Sequence, residues 1–223
     1  MEMQASFLVT LVFVAATLLG AGLFLRAVPR AQVGVVRGLI AAWALMQFAI
    51  AVTGFYTVTH TLPPRFALAI APPLLGILSL AAAPGGRAWL ARLDLRALTL
   101  MHVMRVPVEW GLHQLYVEGY VPQVMTWEGR NLDVLTGLTA PVVAWLAFRG
   151  GHVRRGVLQA WNGGGLVLLI VIAFHGILSV PTPLQQFGFE QPNVALMYPP
   201  FVWLPAVIVP LALVGHIAAL ARR

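Results

Sequence analysis

The chain has 223 residues, of which 60% are apolar and only 9% charged, and its mean hydropathy is +0.85. That composition lies outside the range of soluble globular domains. Fourteen basic residues against seven acidic ones leave a formal charge of +7, and all fourteen are arginine, with neither lysine nor cysteine present. A lysine Schiff base, disulfides, thiolate metal sites, iron–sulfur clusters and thiol nucleophiles are therefore excluded.

A helix crosses a hydrocarbon core of ~30 Å with about 20 residues, and backbone polar groups must pair internally because lipid offers them no partner. Hydropathy predicts seven such helices, over residues 5–26, 35–58, 64–83, 95–118, 133–149, 156–179 and 199–220. The expected fold is an all-α, polytopic seven-helix transmembrane bundle, formed as a single integral membrane domain over residues 1–223. The first helix follows Glu2 without a basic n-region or a cleavage site, which reads as a retained span rather than a signal peptide.

Charge sets the expected orientation. Arg26, Arg30 and Arg37 lie around the first gap, Arg87, Arg92 and Arg96 with Asp94 in the third, Arg149, Arg154 and Arg155 in the fifth, and Arg222 and Arg223 in the tail. The opposite side holds only Arg65 and Arg130, beside Glu2, Glu118, Glu128, Asp133 and Glu190. The positive-inside rule then places the N-terminus outside and the C-terminus in the cytoplasm, in the cytoplasmic (inner) membrane of a bacterium. The lipid bilayer is the expected partner, and orientation accounts for the basic excess with no nucleic acid required.

Arg37-Gly-Leu-Ile-Ala-Ala-Trp43 opens the second helix and Arg155-Gly-Val-Leu-Gln-Ala-Trp161 the sixth, with four of seven positions identical. The third helix follows Pro63-Pro64 and contains Pro72-Pro73; the seventh follows Pro199-Pro200 and contains Pro205 and Pro210. This pattern suggests a 3+1+3 plan of two parallel repeats joined by the fourth helix. In layout and orientation it resembles the SWEET sugar transporters, without their motif residues. Mid-helix prolines at 72, 73, 107, 205 and 210 free backbone carbonyls and so mark a cavity or a bend, or are simply tolerated.

The fourth helix carries the unusual chemistry. His102, Arg105, Glu109, His113 and Tyr116 fall on one stripe about 80° wide. Ionised groups cost ~3 kcal/mol or more at the bilayer centre, so the stripe must face the interior, toward helices six and seven. Arg105 and Glu109, four residues apart, are expected to pair with each other. Depth counting puts His113 and His175 together about 10 Å toward the outside, and His102 with His216 about 7 to 10 Å toward the cytoplasm. Such layers suit a ladder of titratable groups, or ligands for a divalent metal or haem, with His113 and His175 as the metal pair. Alternatively, each imidazole simply donates to a backbone carbonyl.

On the outer rim, Glu118, Trp127, Glu128, Arg130, Asn131, Asp133 and Glu190 suggest a net-acidic vestibule. Glu128 would pair with Arg130, and Asn131 or Asp133 would cap the fifth helix. Gly163-Gly164-Gly165 is expected to give close packing against Trp161 or the fourth helix.

These residues favour transport or binding of a small polar or cationic solute, coupled to protons through Glu109. Two alternatives stay open: a membrane-embedded metal- or haem-binding enzyme or redox protein, and a non-catalytic assembly subunit whose polar stripe specifies its partners. The charge count makes a direct prediction. A reporter fused after Arg223 is active only in the form that reports a cytoplasmic location, and an extracytoplasmic signal there overturns the orientation.

Overall fold

The computed structural model describes residues 3–222, so Glu2 and Arg223, both used in the charge count, lie outside the described residues. Among the described residues the chain is all-α, without a strand. Its helices are α1 (Phe7–Ala27), α2 (Val33–Val52), α3 (Ala67–Ala82), α4 (Pro84–Leu90), α5 (Leu95–Met101), α6 (Arg105–Val117), α7 (Val134–Phe148), α8 (Arg155–Leu178) and α9 (Val209–Leu220). Four stretches are long and apolar enough to cross a membrane: Phe7–Ala27, Arg30–Val52, Val134–Gly151 and Arg155–Leu178. The α3–α4 pair makes a fifth if it is one span, although it bends by 96°, and Leu204–Leu220 is a shorter apolar helix.

Local chemistry explains where these helices start, break and stop. Ser6 caps α1 by accepting from the Val9 N–H at 3.4 Å, while its own N–H donates to Glu118 Oε2 at 3.2 Å. A carboxylate is thereby held at a helix N-terminus, where the dipole favours it, and the end of α6 is tied to the start of α1. α2 stops at Val52, short of the expected 58, because Gly54 takes a left-handed turn at φ 72°. Tyr56, beyond that turn, is fully buried and donates its hydroxyl to Gln47 Oε1.

The third helix does not continue straight. Pro84 starts α4 after the extended Ala83, and a Cβ on Gly86 would lie 1.9 Å from the Leu80 carbonyl oxygen, so only glycine permits this close return. Pro107 offers no N–H to the Val103 carbonyl, and a 3₁₀ turn, His102–Met104, separates α5 from α6 at that point. The seventh helix starts at Leu204, later than the expected 199, and opens as a π turn over Leu204–Ile208. Pro210 has no N–H for the Ala206 carbonyl; the Trp43 indole donates to it instead at 2.8 Å, and the Trp203 indole donates back to the Ala44 carbonyl at 2.9 Å. α2 and the π turn are thus cross-linked at a defect that proline creates.

Two ends of the bundle are defined by hydrogen bonds. At the arginine-rich end, the Asp94 N–H donates to the Ala27 carbonyl, the Trp89 indole to Gln32, and Arg222 to the Leu93 carbonyl. At the loop-rich end, the Val194 and Ala195 N–H groups donate to the Tyr120 carbonyl, and Asn193 reaches Gly176 and Ser179. α6 lies between α1 and α7. The Phe13 ring presses on Gly111, and Met104 on Gly20.

A Cβ at Gly111 would lie 2.6 Å from Phe13 Cε2, whereas one at Gly38 meets nothing within 4 Å. Gly111→Val is therefore expected to destabilise the bundle by about 1–3 kcal/mol. Gly38→Ala is expected to be neutral or to stabilise by up to about 1 kcal/mol. Thermal unfolding of the two purified variants in one detergent checks the contrast.

Candidate functional site

The site forms where a non-helical segment descends into the bundle. Arg105 opens α6, about 18 Å along the axis from Val117 at its loop-rich end. The chain then comes back inward through residues 122–133, so that the first turns of α7 sit against Arg105: a Cβ on Gly137 would lie 2.9 Å from Val106 Cγ2 and 3.2 Å from Arg105 Cβ. Backbone buried inside the bundle must satisfy its polar groups within the protein. It does so by folding on itself: Gly129 and Asn131 donate to the Thr126 carbonyl at 2.9 and 3.2 Å, and Arg130 donates to that of Val124 at 3.2 Å. Gly129 is obligatory there, since a Cβ would lie 2.2 Å from the Gln123 carbonyl oxygen.

This segment delivers two side chains. Asp133 accepts a charge-assisted hydrogen bond from Arg105 Nη1, with both residues at least 96% buried. Asn131 donates through Nδ2 to Glu109 Oε2 and, at 2.9 Å, to the Met125 carbonyl, while its Oδ1 accepts from the Asp133 N–H at 3.0 Å. The expected Arg105–Glu109 pair is therefore replaced: the guanidinium pairs with Asp133, and Glu109, 2% exposed, has no ion-pair partner among the described residues. The fixed spacing on one helix is outcompeted by an acid that arrives from another element in better register. Asn131 and Asp133 are likewise not on a rim and do not cap α7 through their side chains. They are buried at the depth of Arg105.

Beyond Arg105 the network continues to α9 and α8. Arg105 Nη2 donates to His216 Nε2 at 3.2 Å, so His216 carries its hydrogen on Nδ1 and donates it to Asn162 Oδ1 at 2.9 Å. Asn162 Nδ2 in turn donates to the Leu158 carbonyl at 2.8 Å. His102 stacks on His216 with ring centroids 4.3 Å apart and 24° between planes, and Trp161 meets it edge-on. The expected pairing of His102 with His216 is thus met. His102 is fully buried, and neither of its ring nitrogens has a hydrogen-bond partner among the described residues. Glycines frame the stack: a Cβ on Gly165 would lie 2.6 Å from His216 Cε1, and one on Gly215 would lie 3.0 Å from His102 Nε2. The close packing expected of Gly163-Gly164-Gly165 is therefore made by Gly165 alone, against α9 rather than Trp161 or helix four; the other two face open space.

The remaining residues separate from this cluster. His113 bonds to Glu128 at 2.8 Å and stacks on Trp127 at 4.4 Å, with Tyr116 edge-on at 6.3 Å. His175 donates Nδ1–H to the Val171 carbonyl at 2.7 Å, within its own helix, and lies 3.4 Å from Arg130 Nη1. Glu128 and Arg130 thus pair with different histidines and not with each other. His113 and His175 are held by different partners, and no group of three or more His, Asp or Glu among the described residues is placed to hold a metal ion. Both His216 nitrogens are engaged, and its face-to-face stack with His102 does not present two nitrogens to one iron. Glu118 holds the start of α1, and Glu190 is exposed in the last loop.

Arg105, Glu109 and Asp133 line one wall of a cavity of about 70 Å³ whose other walls are apolar, from α3, α6, α8, the π turn and α9. Sequence reasoning missed this enclosure and the roles of Asn162 and the Met125 carbonyl. The polar turn of α8 around Asn162 was the available signal, but nothing local tells which helix it faces.

The model of a protein family described as Domain of unknown function (DUF8737) matches residues 63–222, which includes every member of the buried network. No curated protein and no solved structure matches the chain.

Removing one partner of a buried ion pair leaves a charge without compensation, at a cost of about 3–5 kcal/mol, whereas replacing both with apolar groups is often neutral. Asp133→Leu should therefore be strongly destabilised, and Arg105→Met combined with Asp133→Leu should recover most of the loss. Denaturant midpoints of the single and double variants give the coupling directly, and additive losses count against the pair.

Proposed function

The chain belongs to the DUF8737 family, and we propose that it is a multi-pass membrane protein that binds and carries a small cationic solute, with a proton exchanging for the cation at Glu109. The reading takes all seven apolar segments as crossings, including Leu95–Val117 and Leu204–Leu220, in the inner membrane of a bacterium. It puts the loop-rich end outside and the arginine-rich end in the cytoplasm, as the charge bias requires.

One observation carries the proposal. The buried cluster holds two carboxylates against one guanidinium, and the carboxylate without a cation, Glu109, borders a cavity. A lone ionised carboxylate in a water-poor interior costs on the order of several kcal/mol, so the site favours uptake of one further positive charge. Glu109 lies within electrostatic range of both Arg105 and Asp133, which couples occupancy of the cavity to the ion pair beside it. The chain of bonds from Asp133 through Arg105, His216 and Asn162 then joins the cavity to the arginine-rich half of the bundle. A change of charge at Glu109 acts on that network through Arg105.

Thermal unfolding of the purified protein against rising methylammonium tests this reading. The wild type should be stabilised in proportion to the logarithm of concentration above its dissociation constant. The response should weaken as pH falls, because proton and cation compete for one carboxylate. Glu109→Gln should fold and show no response. A cation response that survives in Glu109→Gln, or its absence from the wild type at every pH, overturns the proposal in favour of a structural role for the stripe.

A further inference from the structure

We infer that the solute is a lipophilic amine taken from the bilayer, its ammonium group on Glu109 and its apolar body in the cavity between α3, α8 and α9. This rests on the reading of Glu109 as the cation site, and it names the class of cation and the route by which it arrives.

The lining argues first against a hydrophilic solute. Apart from Arg105, Glu109 and Asp133, every residue around the cavity is apolar. A sugar, a polyamine or a hydrated metal ion needs several hydrogen-bonding partners to replace its water. Here Asp133 is taken by Arg105, and one Glu109 oxygen is taken by Asn131. One carboxylate in an otherwise apolar chamber matches a single positive charge on a hydrocarbon body, the usual division of labour in a small-molecule pocket.

The position of the opening argues for the route. Toward the loop-rich end the cavity is roofed by Met125 and Leu196, 1% and 5% exposed, and Met125 also packs on Gly176 of α8. On its flank, between α3 and α8, which both pack on α9, the lining turns from buried to exposed: Ile177 is 40% exposed, and Ile70, Ala173 and Val209 are half-buried. Their neighbours Phe174 and Leu68 are exposed apolar side chains, as expected of a surface facing acyl chains. The rim is therefore wetted by lipid, and a molecule that crosses it must first dissolve in the bilayer.

The experiment places the full chain in phosphatidylcholine nanodiscs and follows thermal unfolding with methyl-, butyl- and hexylammonium and with hexanol. Apparent affinity should rise about fourfold per added methylene, hexanol should give no comparable shift, and Glu109→Gln should lose the hexylammonium response. A hexylammonium carrying a diazirine at its alkyl end should label peptides of α8 or α9 that line the cavity. Equal potency of methyl- and hexylammonium overturns the lipophilic class and leaves the cation reading standing. Labelling confined to residues 118–133 overturns the route through the bilayer. No ammonium response in the wild type, or one retained in Glu109→Gln, overturns both. Competition from added phosphatidylethanolamine identifies a bilayer aminolipid as the source of the amine. Unimpeded hexylammonium binding in its presence identifies a free amine, and both outcomes support an amine pocket.

Discussion

The ion pair between Arg105 and Asp133 organises the interior of this protein. A guanidinium deep in an apolar bundle requires a partner of opposite charge, and here only its two terminal nitrogens are engaged, Nε having no hydrogen-bond partner among the described residues. Asp133 supplies the charge and His216 accepts from the second nitrogen. To bring Asp133 to that depth, the chain after α6 must turn inward, fold residues 122–133 on themselves and begin α7 beside Arg105. The descending segment, the start of α7 beside Arg105 and the burial of Asn131 all accompany the pairing of one arginine.

The same constraint shapes the packing around it. Rings and a methionine close on facing glycines at four points between the helices: Phe13 on Gly111, Met104 on Gly20, His216 on Gly165 and His102 on Gly215. These contacts bring backbones close, as in membrane helix pairs generally, and leave both stacked histidines fully buried. Breaks in the helices follow a parallel logic. Pro107 and Pro210 each deprive a carbonyl of its helical partner; the first coincides with a 3₁₀ turn that presents His102, and the second with a π turn clamped by Trp43. The π turn and Pro205 also wall the cavity, so the proline defect and the chamber are one feature.

Glu109 is the unbalanced element in this arrangement. Its neutral partner Asn131 orients it but does not cancel its charge, and the guanidinium nearest to it along the helix is committed elsewhere. In the proposed reading a proton or a cation completes the cluster, and the apolar lining of the cavity selects that cation.

Much of this was legible in the residues and much was not. Composition and hydropathy established an all-α chain with apolar helices long enough for a membrane, because burial in lipid demands long apolar runs whatever their neighbours. The helical period put His102, Arg105 and Glu109 on one buried face, and depth counting brought His102 to His216, since both rules depend only on helix geometry. The partner of Arg105 was assigned to Glu109 because four residues is the nearest spacing on a helix, while Asp133 reads as a surface cap until the loop is seen to descend. His113 and His175, placed at one depth by the same count, bond to different residues, Glu128 and Arg130, and azimuth around the bundle, unlike depth, is not encoded in distance along a helix. The sequence by itself determined the apolar helices and the polar stripe with Arg105 and Glu109 in it. Which acid remains unpaired, and what surrounds it, was decided by tertiary structure alone, because a carboxylate's partner depends on which elements meet.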